Sequence, residues 1–193
     1  MDLASNALTT LEAVKKNLNG TSVDIDDDLI KQKINEVSEF IESYTKRKFG
    51  IGTRTEKYAG TGTPFLTLRQ FPVISIISIT LNGAAVDMAE TDLYEDSGMI
   101  YRKHGWQNSI ERNITIQYEA GYVLPKDATT NTPRTLPYDL EGACIIMVTT
   151  RYINRDAEGL QERRAGDFTE KFVHGMPTAV KLVLEKYRRV NGA

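Results

Sequence analysis

The densest group of side chains that could hold a metal ion is the acidic run DIDDD at residues 24–28. Carboxylate oxygens suit Ca²⁺, and a twelve-residue EF-hand loop begun at Asp24 would need glycine at its sixth position and glutamate at its twelfth. Those positions hold Leu29 and Asn35. Acidic side chains also cap helices, because they accept hydrogen bonds from the free amides of a first turn. The run therefore predicts the start of a helix rather than a calcium site.

Other residues that could do chemistry lack partners at the spacing their chemistry needs. The stretch GTGTPF at 60–65 lacks the third glycine or the Lys-Ser/Thr pair of a phosphate-binding loop, and it leads into a strand. His104 and His174 lie in glycine-flanked loops without a second histidine at i+4. Cys144 lies in the apolar run ACIIMV, which favours a buried, inert thiol. We expect no catalytic residues, no cofactor and no metal.

The composition is that of an ordinary soluble protein of about one domain. The chain has 193 residues, 40% of them hydrophobic and 26% charged, with a net charge of -2. No apolar run approaches the roughly 18 residues of a membrane span, and the N-terminus does not read as a secretory signal. Residues 1–120 hold 13 Lys/Arg against 17 Asp/Glu and the remainder 11 against 9, so no basic stripe marks a nucleic-acid site. We expect synthesis in a cytoplasm and no membrane association.

Apolar residues at intervals of three and four predict a helical core of about four helices. Thr9 and Glu12 have capping-box spacing before the first helix, and Pro137 and Pro177 suit the first turns of the last two. The run CIIMV predicts that the third helix is buried around much of its circumference. The predicted helices span about 9–19, 27–45, 138–153 and 177–190.

Between the second and third helices the hydrophobic period changes to two, which predicts strands. The predicted strands span 54–58, 64–68, 73–81, 93–101 and 112–119. The fold class is therefore α+β, with an antiparallel β subdomain inserted at about 54–120 in a single domain of residues 1–193.

The strand at 73–81 is apolar on both faces when alternate residues are compared. One face carries Val73, Ser75, Ile77, Ile79 and Leu81, and the other carries Ile74, Ile76, Ser78 and Thr80. A half-solvated strand has one clean polar face, so another surface is expected to cover the second one. Either helices 138–153 and 29–44 cover the two faces within one subunit, or a second copy of the chain covers one of them.

Two further segments invite a partner. The mostly polar residues 154–175 predict a long loop or a docking segment, with Phe168 and Phe172 among its few apolar anchors. The tail EKYRRVNG fits a solvated helix end, a partner surface or a contact with a phosphate backbone.

The order of these elements resembles the head–tail connector (head-completion adaptor) proteins of tailed bacteriophages and prophages. Five colinear stretches carry the resemblance across roughly residues 24–190. They are DDDLIKQKINEVSEFIESYTKRKFG, LTLRQFPVISIISITLNG, ITIQYEAGYVLPKD, LEGACIIMVTTRYINRD and GDFTEKFVHGMPTAVKLVLEKYRR.

The resemblance implies a virion structural protein rather than an enzyme. Such connectors form a ring, typically of twelve subunits, below the portal protein at the head–tail junction. DNA passes through the ring without sequence-specific binding, and a stopper or tail-completion protein docks on the far side. By position, the portal contacts would be Lys186, Tyr187, Arg188 and Arg189. The subunit-interface candidates are Ile74, Ile76, Phe168 and Phe172.

Two other classes of protein remain open on the sequence. A DNA-binding regulator would need a helix-turn-helix or a basic stripe. A small enzyme would need converging polar groups, for which Tyr101, His104 and Trp106 are the candidates.

Overall fold

The computed structural model describes residues 1–19, 25–157, 162–165, 168–171 and 176–189. The chain divides into a helical unit, Met1–Arg47 with Leu124–Ala193, and a β unit, Lys48–Val123. The β unit is inserted between the second and third helices, which confirms the predicted α+β fold. Among the helices in the described ranges, none is long and apolar enough to cross a membrane.

The helical unit has four α-helices within its described residues. They are α1 (Leu11–Leu18), α2 (Asp27–Thr45), α3 (Tyr138–Ile153) and α4 (Thr178–Tyr187). Helix α3 lies at the centre, because it packs against α1, α2 and α4. The predicted bounds differ from these by at most three residues.

Local chemistry sets the ends of α2. The Asp26 side chain accepts hydrogen bonds from the amides of Asp28 and Leu29, so the acidic run caps the helix as predicted. At the other end Lys46 adopts a left-handed conformation with φ 56°, and its amide donates hydrogen bonds to the Glu42 and Ser43 carbonyls.

The N-terminal cap of α1 lies one residue after the predicted one. Thr10 caps the helix, and its hydroxyl accepts a hydrogen bond from the Ala13 amide at 3.2 Å. Thr9 is fully buried instead, and its hydroxyl donates to Glu141 Oε1 at 3.2 Å. The predicted capping box of Thr9 and Glu12 is therefore wrong, because Thr9 bonds to α3.

Helix α3 is buried or half-buried along most of its residues. The predicted inward residues are all buried: Leu140, Ala143, Cys144, Met147, Val148 and Tyr152. Ile146 and Ile153 are exposed on the opposite side. The prediction of burial around much of the circumference therefore agrees with the structure, apart from this exposed strip.

The β unit consists of two antiparallel sheets. Its strands are β1 (Gly52–Tyr58), β2 (Phe65–Thr67), β3 (Val73–Leu81), β4 (Ala84–Ala85), β5 (Thr91–Tyr94), β6 (Met99–Arg102) and β7 (Ile114–Ala120). One sheet has the order β1-β7-β3-β4 and the other β2-β6-β5. The predicted strand 93–101 is two strands, because the chain turns back at Gly98, where φ is 66°.

The two sheets share one hydrophobic core. Strand β7 shows the cleanest alternation, with Ile114, Ile116, Tyr118 and Ala120 buried. These side chains belong to the same buried cluster as Leu66 of β2, Ile100 of β6 and Trp106. The sheets therefore face each other, and their outer faces point in opposite directions.

The segment predicted as a long loop contains secondary structure. Asn154–Ala157 forms a 3₁₀ turn, and β8 (Glu162–Ala165) pairs antiparallel with β9 (Phe168–Lys171). The long-loop alternative is therefore wrong for these residues, because polar residues can also form a short ladder of backbone hydrogen bonds. The docking segment stays a prediction.

Candidate assembly surfaces

Two β-bulges interrupt the alternation of β3. Opposite β7, Val73 pairs with Ala120 and the next pair is Ser75 with Glu119, so Ile74 has no partner residue. Three residues after Ile74, Ile77 is skipped in the same way between Ile76 and Ser78. Each bulge adds one residue to β3 and reverses the side to which the following side chains point.

The bulges change which isoleucines face the core. Val73 and Ile79 are buried, and Ile76 packs against the same core, whereas Ile74 and Ile77 are 45% and 52% exposed. The predicted faces, which grouped Ile74 with Ile76 and Ile77 with Ile79, were therefore wrong. The exposed apolar surface of β3 consists of Ile74 and Ile77, and Ile76 contributes to the β unit's own core.

At the end of α4, the tail residues form hydrogen bonds and ion pairs within the chain. We name this the helix-end cluster, which consists of Tyr44, Asp139, Glu185, Lys186, Tyr187 and Arg188. Tyr187 donates from its hydroxyl to Asp139 Oδ1 at 2.5 Å, and Lys186 Nζ contacts Asp139 Oδ2 at 2.9 Å. Both contacts tie α4 to the first turn of α3.

A second set of contacts in this cluster ties α4 to α2. The Tyr44 hydroxyl donates to Glu185 Oε1 at 2.5 Å, and Arg188 Nη1 contacts the same carboxylate at 3.3 Å. The Arg188 guanidinium lies 5.4 Å from the centre of the Tyr44 ring. These aromatic and basic side chains therefore hold the helix end in place.

The cluster favours the charged form of its two carboxylates. Partial burial pushes the pKa of Asp139 upward, but the hydrogen bonds from Tyr187 and Lys186 and the Lys186 charge lower that pKa below its usual value. The hydrogen bond from Tyr44 is the main cause of the lowered pKa of Glu185, and it raises the pKa of Tyr44 in turn.

The four predicted portal-contact residues differ in what they contact. Lys186, Tyr187 and Arg188 bind Asp139 or Glu185, as described above. Arg189 follows α4, and its backbone amide donates to the Thr45 carbonyl at 2.9 Å. Within the described ranges, its guanidinium has no hydrogen bond or ion pair. Arg189 is therefore the residue of this set with the most available charge, and portal contact stays a prediction.

The two predicted phenylalanine anchors are only partly covered by the described residues. Phe168 begins β9, where it pairs with Ala165. Phe172 lies outside the described residues, and so does His174.

The residues proposed for a small enzyme do not converge. The Trp106 side chain is buried in the β core, where its indole N–H donates to the Ile100 carbonyl at 3.3 Å. Tyr101 lies instead on the outer sheet face, where its ring centre is 5.5 Å from that of Phe65. His104 is exposed, with Nε2 at 3.3 Å from Glu90 Oε1.

Cys144 is buried in α3, as its apolar run predicted. Burial raises the pKa of the Cys144 thiol to about 12, so the thiolate is scarce at neutral pH. Among the residues that the structure describes, no three His, Cys, Asp or Glu side chains are placed to bind a metal ion.

The β unit contains a hydrogen-bond network of Glu56, Tyr58 and Tyr118 that the sequence did not predict. Glu56 Oε2 accepts hydrogen bonds from the hydroxyls of Tyr58 and Tyr118. Those hydroxyls accept in turn from the amides of Arg69 at 3.0 Å and Gln70 at 3.1 Å. Burial, together with the Glu56 carboxylate, raises the pKa of both tyrosines. Residues this far apart in sequence carry no local signal, and only the register of β1 with β7 brings them together.

Comparisons with known proteins agree with this fold. A family model described as "Head completion protein" matches residues 7–190. No curated protein sequence matches the chain.

A chain in the neck of an empty gene transfer agent particle, computed with C6 symmetry, is 17% identical, with a TM-score of 0.63. A chain of the native virion of such a particle is 14% identical, with a TM-score of 0.58. A chain in the native neck, computed with C12 symmetry, is 16% identical, with a TM-score of 0.58. Each alignment covers 100% of this chain and 95% of the other chain.

The family match defines the class of protein to which this chain belongs. The family match extends through both units, and its range includes all five stretches on which the sequence resemblance was based. This chain belongs to the head completion protein family, and is thus a structural protein of the phage head–tail type.

Proposed function

We propose that this protein is a connector that forms a ring at the head–tail junction of a virion. The ring lies below the portal protein and carries a stopper or tail-completion protein on its other side. The family match over residues 7–190 carries this proposal. The proposal is also supported by the similar fold of two chains from the necks of gene transfer agent particles. Those necks were computed with C6 and C12 symmetry.

The helical and β units belong to one connector domain in this proposal. The family model extends through both units rather than ending at Arg47 or Leu124, where they meet along the chain. A dodecamer is the stoichiometry that we propose, with the chain made in the cytoplasm of a bacterial host.

The ring is a passage for double-stranded DNA rather than an enzyme. Transit requires that DNA is not held tightly, and tight electrostatic binding needs many unpaired Lys and Arg side chains. In the helix-end cluster, Lys186 and Arg188 are paired with Asp139 and Glu185. The net charge of -2 likewise disfavours strong, sequence-independent binding of DNA.

The portal contact is proposed at the C-terminal end of α4. The cluster holds Tyr187 and its neighbours in one arrangement, so a partner would meet a preorganised surface. Arg189 offers a guanidinium, a group enriched at interface hot spots. Phe168 and Phe172 are proposed to anchor the preceding segment to a partner as the ring forms.

Gold labelling of an epitope-tagged chain in purified particles tests this placement. We expect label at one vertex per particle, at the junction of head and tail. Removing the gene should leave DNA-containing heads without tails. Label spread over the capsid or along the tail, or complete particles from the deletion strain, would overturn the proposal.

A further inference from the structure

The two outer faces of the β unit have unusual compositions for surfaces exposed to water. Exposed sheet faces of soluble proteins carry mostly polar and charged side chains. The outer face of the sheet β1-β7-β3-β4, which we call the neutral face, is polar but is lined mostly by uncharged residues. They include Thr53 and Thr55 of β1, Ser75 and Ser78 of β3, and Thr115 and Gln117 of β7.

Charges are rare on the neutral face, and two isoleucine side chains are exposed on this sheet. Lys57 and Glu119 are the charged residues among the outward positions of β1, β3 and β7. The bulges place Ile74 and Ile77 in solvent on this sheet. Uncharged polar side chains cost less free energy to desolvate than charged ones, and less still when they form hydrogen bonds across an interface.

The outer face of the sheet β2-β6-β5, which we call the aromatic face, carries three aromatic rings. Phe65 and Tyr94 are 44% and 46% exposed. The Phe65 ring centre lies 5.5 Å from that of Tyr101 and 6.4 Å from that of Tyr94. Asp92 is the charged residue among the outward positions of these three strands. Clustered aromatics with few charges are typical of the centre of a protein–protein interface.

We propose that the neutral face of one copy of this chain packs against the aromatic face of the next copy. The inference rests on the proposed ring, because a closed ring needs two different, complementary surfaces on each subunit. The two faces lie on opposite sides of the pair of sheets. Each copy can therefore contact one neighbour through its neutral face and another through its aromatic face, as a ring requires. Ile74 and Ile77 provide apolar contacts for Phe65 and Tyr94, and Lys57 provides a cation for Asp92.

A second copy fits these faces better than nucleic acid does. The phosphate backbone requires several cations, and Lys57 is the cation among the outward positions of the neutral face, whereas the aromatic face carries Asp92. A contact between two neutral faces would leave both aromatic faces exposed to water.

Glutamate substitutions on the two faces test the pairing, with each variant measured alone and as a mixture of the two variants. Ile77→Glu blocks the neutral face and Phe65→Glu blocks the aromatic face, with Tyr94→Glu as a second aromatic-face variant. Ile110→Glu is the matched control, because Ile110 is fully exposed at 102% and lies in the loop between β6 and β7, on neither face. Circular dichroism and the fluorescence of buried Trp106 check the fold of each full-length chain.

Sedimentation of each purified chain, up to its solubility limit, then measures assembly. We expect the wild type and Ile110→Glu to form large species, and each face variant to stay monomeric, its self-association weakened at least about 30-fold. A mixture of Ile77→Glu with Phe65→Glu should form dimers and nothing larger, because one intact face remains on each chain.

Other outcomes contradict specific parts of the proposal. If both face variants assemble as the wild type does, the proposed interface is wrong, but the proposed ring is not contradicted. Dimers formed by one face variant alone would indicate a symmetric contact and overturn the pairing of unlike faces. A wild type that stays monomeric at every concentration would contradict the interface and the self-assembling ring together.

Discussion

Neighbouring residues of β3 differ in whether their side chains pack into the β unit or are exposed. Ile76 and Ile77 are neighbours of the same type, yet Ile76 packs against the core and Ile77 is half exposed. The second bulge separates their roles, because it leaves Ile77 without a partner on β7. The pair therefore provides a matched comparison.

We predict that Ile76→Asp destabilises the fold and that Ile77→Asp does not. A carboxylate at position 76 loses apolar contacts and has to be desolvated, which should lower the free energy of unfolding by about 2–4 kcal/mol. At position 77 the change should stay within about 0.5 kcal/mol. Urea denaturation measures both values. Equal destabilisation by the two substitutions would contradict the bulged register.

Carboxylates in the helix-end cluster make the docking of α4 dependent on pH. The folded-state pKa values of Asp139 and Glu185 lie below the ordinary 3.8 and 4.5. Their contribution is therefore complete above those ordinary values and is lost as the pH falls through the lowered folded-state values. Both groups are more than a third exposed, so water weakens the effect.

We predict that acidification from pH 6 to below pH 3.8 loosens α4 before the β unit changes. Amide chemical shifts of residues 178–187, followed by NMR, should move in this range. Asp139→Asn removes the carboxylate that Tyr187 and Lys186 contact, so the pH-dependent shift changes in α4 should become smaller in this variant. An unchanged titration of α4 in that variant would show that Asp139 does not hold the helix.

At the scale of elements, helices were predictable because their periodicity and caps are local. The start of α2 followed from Asp26, and the bounds of α3 from Pro137 and its apolar stripe. The cap of α1 was misplaced by one residue, because Thr9 and Thr10 are chemically alike and only the distant Glu141 distinguishes them.

Most strands were predictable in approximate place, but neither their number nor their side-chain direction was. Strict alternation fails in β3, since the two bulges depend on the register with β7 rather than on the residues of β3. The cluster of exposed aromatic side chains was missed because its members lie far apart in the sequence. Phe65, Tyr94 and Tyr101 come from three strands and meet only when β2, β6 and β5 pair.

The turn after β7 provides a test of this packing at the level of elements. Gly121 has φ 127°, and a Cβ there would lie 2.5 Å from the Gly50 carbonyl oxygen. Gly83 has φ 81° in the turn after β3, but a Cβ there would meet nothing within 4 Å.

We predict that Gly121→Ala lowers the free energy of unfolding by roughly 3 kcal/mol, because it combines backbone strain with a clash. Gly83→Ala should cost only about 1 kcal/mol, because the strain acts alone. Thermal unfolding compares the two variants. Equal costs would show that the close approach of residues 50 and 121 is not rigid.

At the scale of the whole molecule, the family was recognisable from the sequence although no single motif is diagnostic. The colinear order of helices and strands carried the resemblance, and the family match over residues 7–190 confirmed it. Surfaces that contact other chains left a weaker signal, because composition does not show which side chains a fold exposes. The inserted β unit accordingly supplies faces that we assign to neighbouring subunits.

Electron microscopy of this chain co-expressed with its cognate portal protein tests the central claim most directly. The proposed connector predicts a ring of copies of this chain stacked coaxially on one side of the portal ring, with a continuous central channel. Portal rings that remain bare, or that carry isolated copies of the chain without a closed ring, would contradict it.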